Sequence, residues 1–472
     1  MPSVSPSSAR RQTPRNVAAI AGLILGVVTA CGVSAETTTS GVSTSTSTAP
    51  TTSSVPTTTT SPAPADVQAS IDWFVSILNG EELTEAEYES RFSEEFRRQV
   101  PYESGFQPVL DQFRPDGPYN VVDRDGDMTS GEAVIESAGG IRARILAELD
   151  EGNRFSGLVI QPAEEHALDD PPETIEESFS RLAAMGTLHA LAAEVVDGDC
   201  QVIEEVGASE PAPIGSMFKL YVLAALGEAV QNEDVSWDDA IVIMDELKSV
   251  PTGVLQDRAA GETVTVEEAA ELMISISDNT ATDHLMDLLG RETVEAALAE
   301  YGNTTPELNT PLLNTRELTA LKVGPASGLS VQWLDGDVAA RRSILAQISD
   351  ITPGDLPLQD WTDPIQPDQL EWFATPEDLC TLAVRLGELS RSVPEIGDIL
   401  SANPGVPANV GTWDTIWFKG GSEPGLLAAW FVTRSEGGTY LTTGSVVNSD
   451  ESVDIEEATL LFASARDLLA TR

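Results

Sequence analysis

The sequence is short of cations, histidines and cysteines. Its 472 residues hold 26 Lys plus Arg against 76 Asp plus Glu, a formal net charge of −50. That imbalance excludes nucleic acid and anionic lipid headgroups as partners recognised by charge. The acidic residues are spread along the chain, as in 81–95 and 233–246, and read as solvated faces; a pI near 4.1 is compatible with a saline habitat. The three histidines, His166, His189 and His284, show no metal-ligand spacing, so neither a metal centre nor a Ser-His-Asp triad is expected, and no cofactor is called for. His284 is expected to face solvent or to stand behind a site. Of the three cysteines, Cys31 belongs to the N-terminal segment. Cys200 and Cys380 are able to pair in an oxidising compartment, yet their wide separation favours two buried thiols.

What the chain does contain is three short polar motifs in one order. Ser216-Met217-Phe218-Lys219 puts a hydroxyl and an amine three residues apart, which on a helix places them on one face. The apolar run Leu220 to Leu226 makes that helix a buried one, with Ser216 at its N-terminus, where free amides favour a developing oxyanion. Burial would lower the pKa of Lys219 and let a neutral amine take the serine proton. Ser277-Asp278-Asn279 interrupts two helical patterns, the first opened by the capping box Thr265-Val266-Glu267-Glu268. Ser277 and Asp278 could simply cap the second helix; functionally, Ser277 would relay a proton and Asn279 would offer its amide to substrate. Lys419-Gly420-Gly421 ends a strand-like segment from Thr412 to Phe418, and a hairpin follows, Leu426 to Thr433 and Tyr440 to Val447 around Ser435-Glu436-Gly437-Gly438. Lys419 would add positive charge, the glycines would admit a substrate close to the backbone, and Ser422 N–H would be the second oxyanion donor. The bland alternative is a strand-end lysine beside a glycine bulge.

The order and spacing of these motifs resemble the class A β-lactamase and penicillin-binding serine hydrolases, whose signature is Ser-x-x-Lys, Ser-Asp-Asn and Lys-Thr-Gly. The resemblance covers about residues 172–472. It implies an α+β fold in which an antiparallel sheet is flanked by helices and joined to an all-helical subdomain. It also implies that Ser216 is the acylated nucleophile, Lys219 its activator, Ser277 a proton shuttle and Lys419 an electrostatic and proton partner. Asn279, Gly420, Gly421 and Ser422 would bind substrate. The stretch Thr304-Thr305-Pro306-Glu307-Leu308-Asn309 looks like the family's Glu-Pro-Glu-Leu-Asn loop, with Thr305 where the deacylating glutamate belongs. A threonine cannot deprotonate water near neutral pH. Asp283 replaces the usual Asn beside that glutamate, and Glu307 could substitute only in a rearranged loop that also contains Asn309. Gly420 lacks the hydroxyl expected to contact a β-lactam carboxylate, and no arginine, Arg434 included, is convincingly placed for that task.

The N-terminal part supplies context. Residues 1–31 combine Arg10, Arg11 and Arg15 with an apolar stretch from Val17 to Val28 and the run Val28-Thr29-Ala30-Cys31. This resembles a bacterial lipoprotein signal with lipidation at Cys31, and the stretch is too short for a comfortable membrane span. The expected location is extracytoplasmic, lipid-anchored to the membrane, or secreted if Cys31 is not lipidated. Residues 32–65 are almost only Thr, Ser, Pro, Ala and Val, an extended tether. Residues 66–165 read as helices followed by an antiparallel meander, with aromatics as core. This two-domain order resembles the family containing the β-lactamase-fold protein of clavulanic acid gene clusters and related actinobacterial lipoproteins. The resemblance implies a steroid-isomerase-like N-terminal shape and weak esterase action on acetylated cephalosporins. Three readings follow: a serine hydrolase acting on small esters or amides of β-lactam or cell-wall type, a penicillin-binding sensor or trap that stays acylated, and a catalytically silent binding protein. Retention of Ser216, Lys219, Ser277 and Lys419 argues against the third.

Overall fold

The computed structural model describes residues 66–471 except 127, 138–141, 151, 163–167, 169, 359–360, 407 and 409–411. The expected leader and tether, Cys31 and His166 therefore lie outside the described residues. The chain separates into two compact units that meet in sequence at 165–166.

The first unit begins where Asp66 caps helix α1 (Val67–Leu78) by accepting the Ala69 N–H at 2.8 Å. Val67, Ile71, Phe74, Val75 and Leu78 make its buried face. The helical pattern of 85–98, with Tyr88, Phe92 and Phe96 on one face, reads as a single helix, but the structure has two, α2 (Glu85–Arg91) and α3 (Glu94–Gln99). The break has a packing cause: Ser93 caps α3 and its N–H bonds Phe155 O at 2.8 Å, turning Phe92 onto Phe155 with ring centroids 5.0 Å apart. After α4 (Gln107–Phe113), strands β1 (Tyr119–Gly126), β2 (Ser130–Ser137), β3 (Arg142–Leu149) and β4 (Phe155–Pro162) form an antiparallel meander in chain order. Phe74, Phe92, Phe106 and Phe155 interlock between helices and sheet. They are core, not a ligand cage.

The second unit opens with α5 (Ile175–Ala183), β5 (Thr187–Val196), β6 (Asp199–Val206) and the short β7 (Ala212–Pro213). Next come α6 (Lys219–Gln231), β8 (Ala240–Val242), β9 (Thr263–Thr265), α7 (Val266–Ser275), α8 (Asn279–Leu289) and α9 (Arg291–Glu300). Helices α10 (Thr315–Lys322), α11 (Ser330–Asp335) and α12 (Val338–Gln347) precede β10 (Phe373–Ala374), α13 (Pro376–Leu389) and α14 (Glu395–Ser401). The chain finishes with β11 (Thr415–Glu423), β12 (Leu426–Ser435), β13 (Gly438–Val447) and α15 (Ile455–Leu468). The main sheet has the order β11-β12-β13-β5-β6 and is antiparallel throughout.

Period-two alternation splits this sheet between two cores. Ala190, Ala429 and Phe431 face α5 and α15 through Phe179, Leu182, Leu461 and Phe462, while Leu191, Trp430 and Leu441 face α6 and the helical half. Helix α6 lies in the middle of that half, and every residue from Lys219 to Gly227 is buried. Each large apolar side chain buried there contributes roughly 1.5–3 kcal/mol, which is why a helix carrying a lysine is held so deep. Two expectations change. Cys200 of β6 and Cys380 of α13 form a disulfide, because the helix packs over the sheet edge and brings together residues 180 apart in sequence. The strand expected to stop at Phe418 runs instead from Thr415 to Glu423, with unbroken pairing to β12 and no bulge at the glycines.

Candidate active site

Ser216 sits in a 3₁₀ turn, Gly215–Phe218, that runs directly into α6. In such a turn side chains three apart eclipse, so Ser216 and Lys219 share a face. The turn rests on β11 at very close range. A Cβ on Gly421 would fall 2.5 Å from Ser216 N, so only glycine fits there. Gly215 has φ +50, and a Cβ on it would lie 3.5 Å from Ser422 N. The backbone amides of Ser216 and Ser422 are thereby brought to one small region, the arrangement an oxyanion hole needs.

The polar corner comes from the α7–α8 connection. Thr265 caps α7 as expected, but its box is only half built, because Glu268 pairs with Arg258 at 2.6 Å. At the far end Ser277 takes φ +60, a left-handed conformation costing a non-glycine residue about 1–3 kcal/mol. Asp278, fully buried, holds that corner: it caps α8 through Ala281 N–H at 2.8 Å and accepts from Val254 and Leu255 N–H at 2.7 and 3.0 Å. Capping and functional readings therefore apply to different residues of one tripeptide. Asp278 builds the corner, while Ser277 and Asn279 face the lysines.

Lys219 Nζ donates to Ser277 O and to Asn279 Oδ1, both at 2.6 Å, and lies 3.0 Å from Ser277 Oγ. Lys419 Nζ donates to Gly420 O at 2.7 Å and also lies 3.0 Å from Ser277 Oγ. Ser277 Oγ is thus suspended between two amines. Burial pushes Lys219 down to about 7, against a smaller opposing pull from Asp278 and Asp283. Lys419 is also pushed well down, first by burial and then by the Lys219 charge. The pair is therefore less positive than two lysines suggest in the sequence. A neutral Lys219 that donates two hydrogens to fixed oxygens keeps its lone pair for a third partner.

The loop expected to clear an acyl group is organised differently. Thr305 Oγ1 is buried with no hydrogen-bond partner among the described residues, and Thr305 N–H bonds Asn303 Oδ1 at 3.0 Å. Glu307 is exposed. Asn309 clamps Phe373, donating to its O at 2.9 Å and accepting its N–H at 2.8 Å, while Asn303 Nδ2 donates to the same carbonyl. Between those tied ends the chain runs through α10, α11 and α12. Asn314 caps α10, and Asp283 of α8 satisfies the first amides of that helix, accepting from Thr315 N–H at 2.8 Å, Thr315 Oγ1 at 2.7 Å and Arg316 N–H at 3.1 Å. Burial pushes its carboxyl up to about 6, against those hydrogen bonds.

Other expected side chains have structural positions. Arg434 pairs opposite Thr415 and stacks on Trp417 at 4.0 Å. His284 is buried rather than solvent-facing: Nδ1 donates to Thr280 O at 2.7 Å and Nε2 accepts Met244 N–H at 3.0 Å, which fixes a neutral tautomer. Among the described residues no group of His, Cys, Asp or Glu is placed to hold a metal ion, and no helix is long and apolar enough to cross a membrane. Sequence reading missed Thr252, whose Oγ1 donates to Ser277 O at 2.7 Å, and Thr315, Lys322, Glu371 and Glu423 around the site. Only Glu423 carried a signal, since it lies on the Lys419 face of β11 by period two.

Residues 186–355 match the model of the Beta-lactamase enzyme family, and residues 62–154 match the model described as ORF 12 gene product N-terminal. No curated protein matches the chain. Among solved structures, a β-lactamase from Sphaerobacter thermophilus DSM 20745 is 20% identical with a TM-score of 0.44, covering 62% of this chain and 95% of its own. PBP-A is 20% identical with a TM-score of 0.44 over 64% of this chain and 97% of its own. An ancestral class A β-lactamase is 19% identical with a TM-score of 0.44 over 62% and 100%. The second unit has a β-lactamase-like fold, an antiparallel sheet flanked by helices.

Proposed function

We propose that the protein is an extracytoplasmic, lipid-anchored serine hydrolase that forms an acyl-enzyme on Ser216 and clears it slowly, acting on small esters or weakly on β-lactams of the cephalosporin type. The observation that carries this reading is Ser277 Oγ, 3.0 Å from each of two buried amines. Neutral Lys219 takes the Ser216 proton as Oγ bonds to the substrate carbonyl carbon, and the carbonyl electrons move to an oxygen held by the Ser216 and Ser422 amides. The tetrahedral intermediate collapses by breaking the C–O or C–N bond. The leaving group takes the proton from Lys219 by way of Ser277 Oγ, with Lys419 stabilising the relay. Asn279, its Oδ1 engaged by Lys219, keeps its amide nitrogen for substrate.

Release of the acyl group needs an activated water, and Thr305 with an exposed Glu307 offers no carboxylate to activate one. That observation favours a second reading, an acyl trap or penicillin-binding sensor. Incubation of the full chain with a chromogenic cephalosporin and with a p-nitrophenyl ester, followed by intact mass and turnover, separates the readings. Multiple turnovers support the hydrolase, and a lasting stoichiometric adduct supports the trap. Absence of any adduct with both substrates, or an adduct that survives Ser216→Ala, overturns acylation at Ser216.

A further inference from the structure

Three ionisable side chains that the acylation chemistry does not use are buried together. Lys322 Nζ at the C-terminal end of α10 is 3.3 Å from Glu371 Oε1 and also donates to Glu423 Oε1. Their side chains are 0%, 2% and 6% exposed for Lys322, Glu371 and Glu423. The Trp361 ring lies over the amine at 5.9 Å. Burial, with Glu371 nearby, pushes the Glu423 carboxyl up to about 8 against the opposing pull of Lys322. Removing water from three such groups is costly unless the geometry is well defined.

Each arm of this cluster leads to one of the two amides that face the developing oxyanion. Glu423 follows Ser422 on β11 and shares a face with Lys419. Glu371 precedes Trp372, accepting its N–H at 3.0 Å. Trp372 O accepts the Ile214 N–H at 2.9 Å, and its ring stacks on Phe218 with centroids 3.8 Å apart, so it grips both ends of the turn that carries Ser216. Lys322 also closes a link through α10, whose first residue, Thr315, has Oγ1 3.2 Å from Asn279 O.

We propose that Lys322, Glu371 and Glu423 form a positioning clamp that fixes the distance between the Ser216 and Ser422 amides, with Lys322 as its pivot. The proposal rests on Ser216 acylation. The glutamates do not touch substrate. They hold the two backbone segments on which an oxyanion would be stabilised, so loosening either arm lowers the acylation rate without weakening the initial encounter complex.

The test is pre-steady-state acylation of the full chain by p-nitrophenyl acetate in Glu423→Ala, Glu423→Gln and Lys322→Met, with a thermal melt of each. Glu423→Ala and Lys322→Met are expected to lower the acylation rate constant about tenfold at an unchanged substrate dissociation constant, as loss of donor alignment predicts. Glu423→Gln, which keeps an acceptor for Lys322, is expected to recover the rate to within about threefold. Both Glu423 variants leave the Lys322–Glu371 pair intact, so a failure of Lys322→Met to fold leaves the test standing. Folded Glu423→Ala acylating at the parent rate overturns the clamp, as does a loss confined to substrate affinity. If the parent protein forms no adduct, the acylation reading falls. Amide exchange at Ser422 then decides the clamp: protection lost in Glu423→Ala and kept in Glu423→Gln supports it, and equal protection in all variants overturns it.

Discussion

The corner at Ser277 and the neighbouring loop from Asn303 to Asn309 are both rich in buried polar groups, yet they use them in opposite ways. At the corner, the Lys219 and Lys419 amines converge on the hydroxyl of Ser277. In the loop, Asn303 and Asn309 satisfy the backbone of Phe373, and nearby Asp283 satisfies the first turn of α10. A polar side chain bonded to backbone stabilises a chain path. Buried amines gathered on one hydroxyl are instead pushed down, chiefly by burial, towards the neutral form that proton transfer requires. The difference teaches that buried polar groups at the Ser277 corner are gathered around one hydroxyl, whereas those between Asn303 and Asn309 hold the path of the backbone.

The largest test of that contrast is Lys219→Met, which should lower acylation about 10³-fold in a stopped-flow assay, within the usual range for loss of a general base. With Lys219 held near 7, the acylation rate of the parent should rise with pH through about 7, because the neutral amine is the competent form. The stability linked to Lys219 has the same sign. Its folded pKa lies below its unfolded value, so the unfolded chain binds more protons and stability rises with pH between about 7 and 10.5. A rate that is flat or falling from about pH 6 to about pH 8, where the amine loses its proton, removes Lys219 from the role of base.

A smaller effect, on the other side of the comparison, is expected from Thr305→Glu. Placing a carboxylate at a position whose buried hydroxyl has no partner among the described residues should shorten the lifetime of a penicillin or cephalosporin adduct about 10²-fold, measured by intact mass against time. An unchanged lifetime would mean that the loop is not adjacent to the acyl group. The smallest effect belongs to Asp283→Asn. Replacing a buried carboxyl that accepts three hydrogen bonds at the start of α10 should cost about 1–2 kcal/mol in urea unfolding, with the acylation rate little changed. Asp283 titrates with the opposite sense to Lys219. Its folded pKa is raised, so its contribution is complete below the unfolded carboxylate value and is lost as pH rises through about 6. The variant should remove that slope.

Much of the site was legible because its chemistry is carried by short spacings. Ser216 and Lys219 lie three apart, Ser277 and Asn279 flank one capping residue, and Gly421 has to be glycine because backbone meets backbone there. The buried α6 was equally legible from its unbroken apolar run. The break at Phe92–Ser93 was not, since local helical pattern gave way to a distant partner, Phe155. Nor was the extension of β11 through Gly420 and Gly421, because β12 pairs with every residue of the motif and overrides weak strand propensity. The Cys200–Cys380 bridge required knowing that α13 crosses the sheet edge.

By itself, the sequence determined which groups are available: a serine and a lysine three residues apart, a second lysine, the Ser277 hydroxyl, a pair of glycines on a strand, and a threonine at 305. Those follow from side-chain chemistry at fixed local spacing. Only the tertiary structure decided their protonation and alignment. Lys219 is brought to about 7 by the apolar shell around α6. Lys322, Glu371 and Glu423 meet across 101 residues of chain. Desolvation and long-range contact are properties of packing, and no local pattern encodes them.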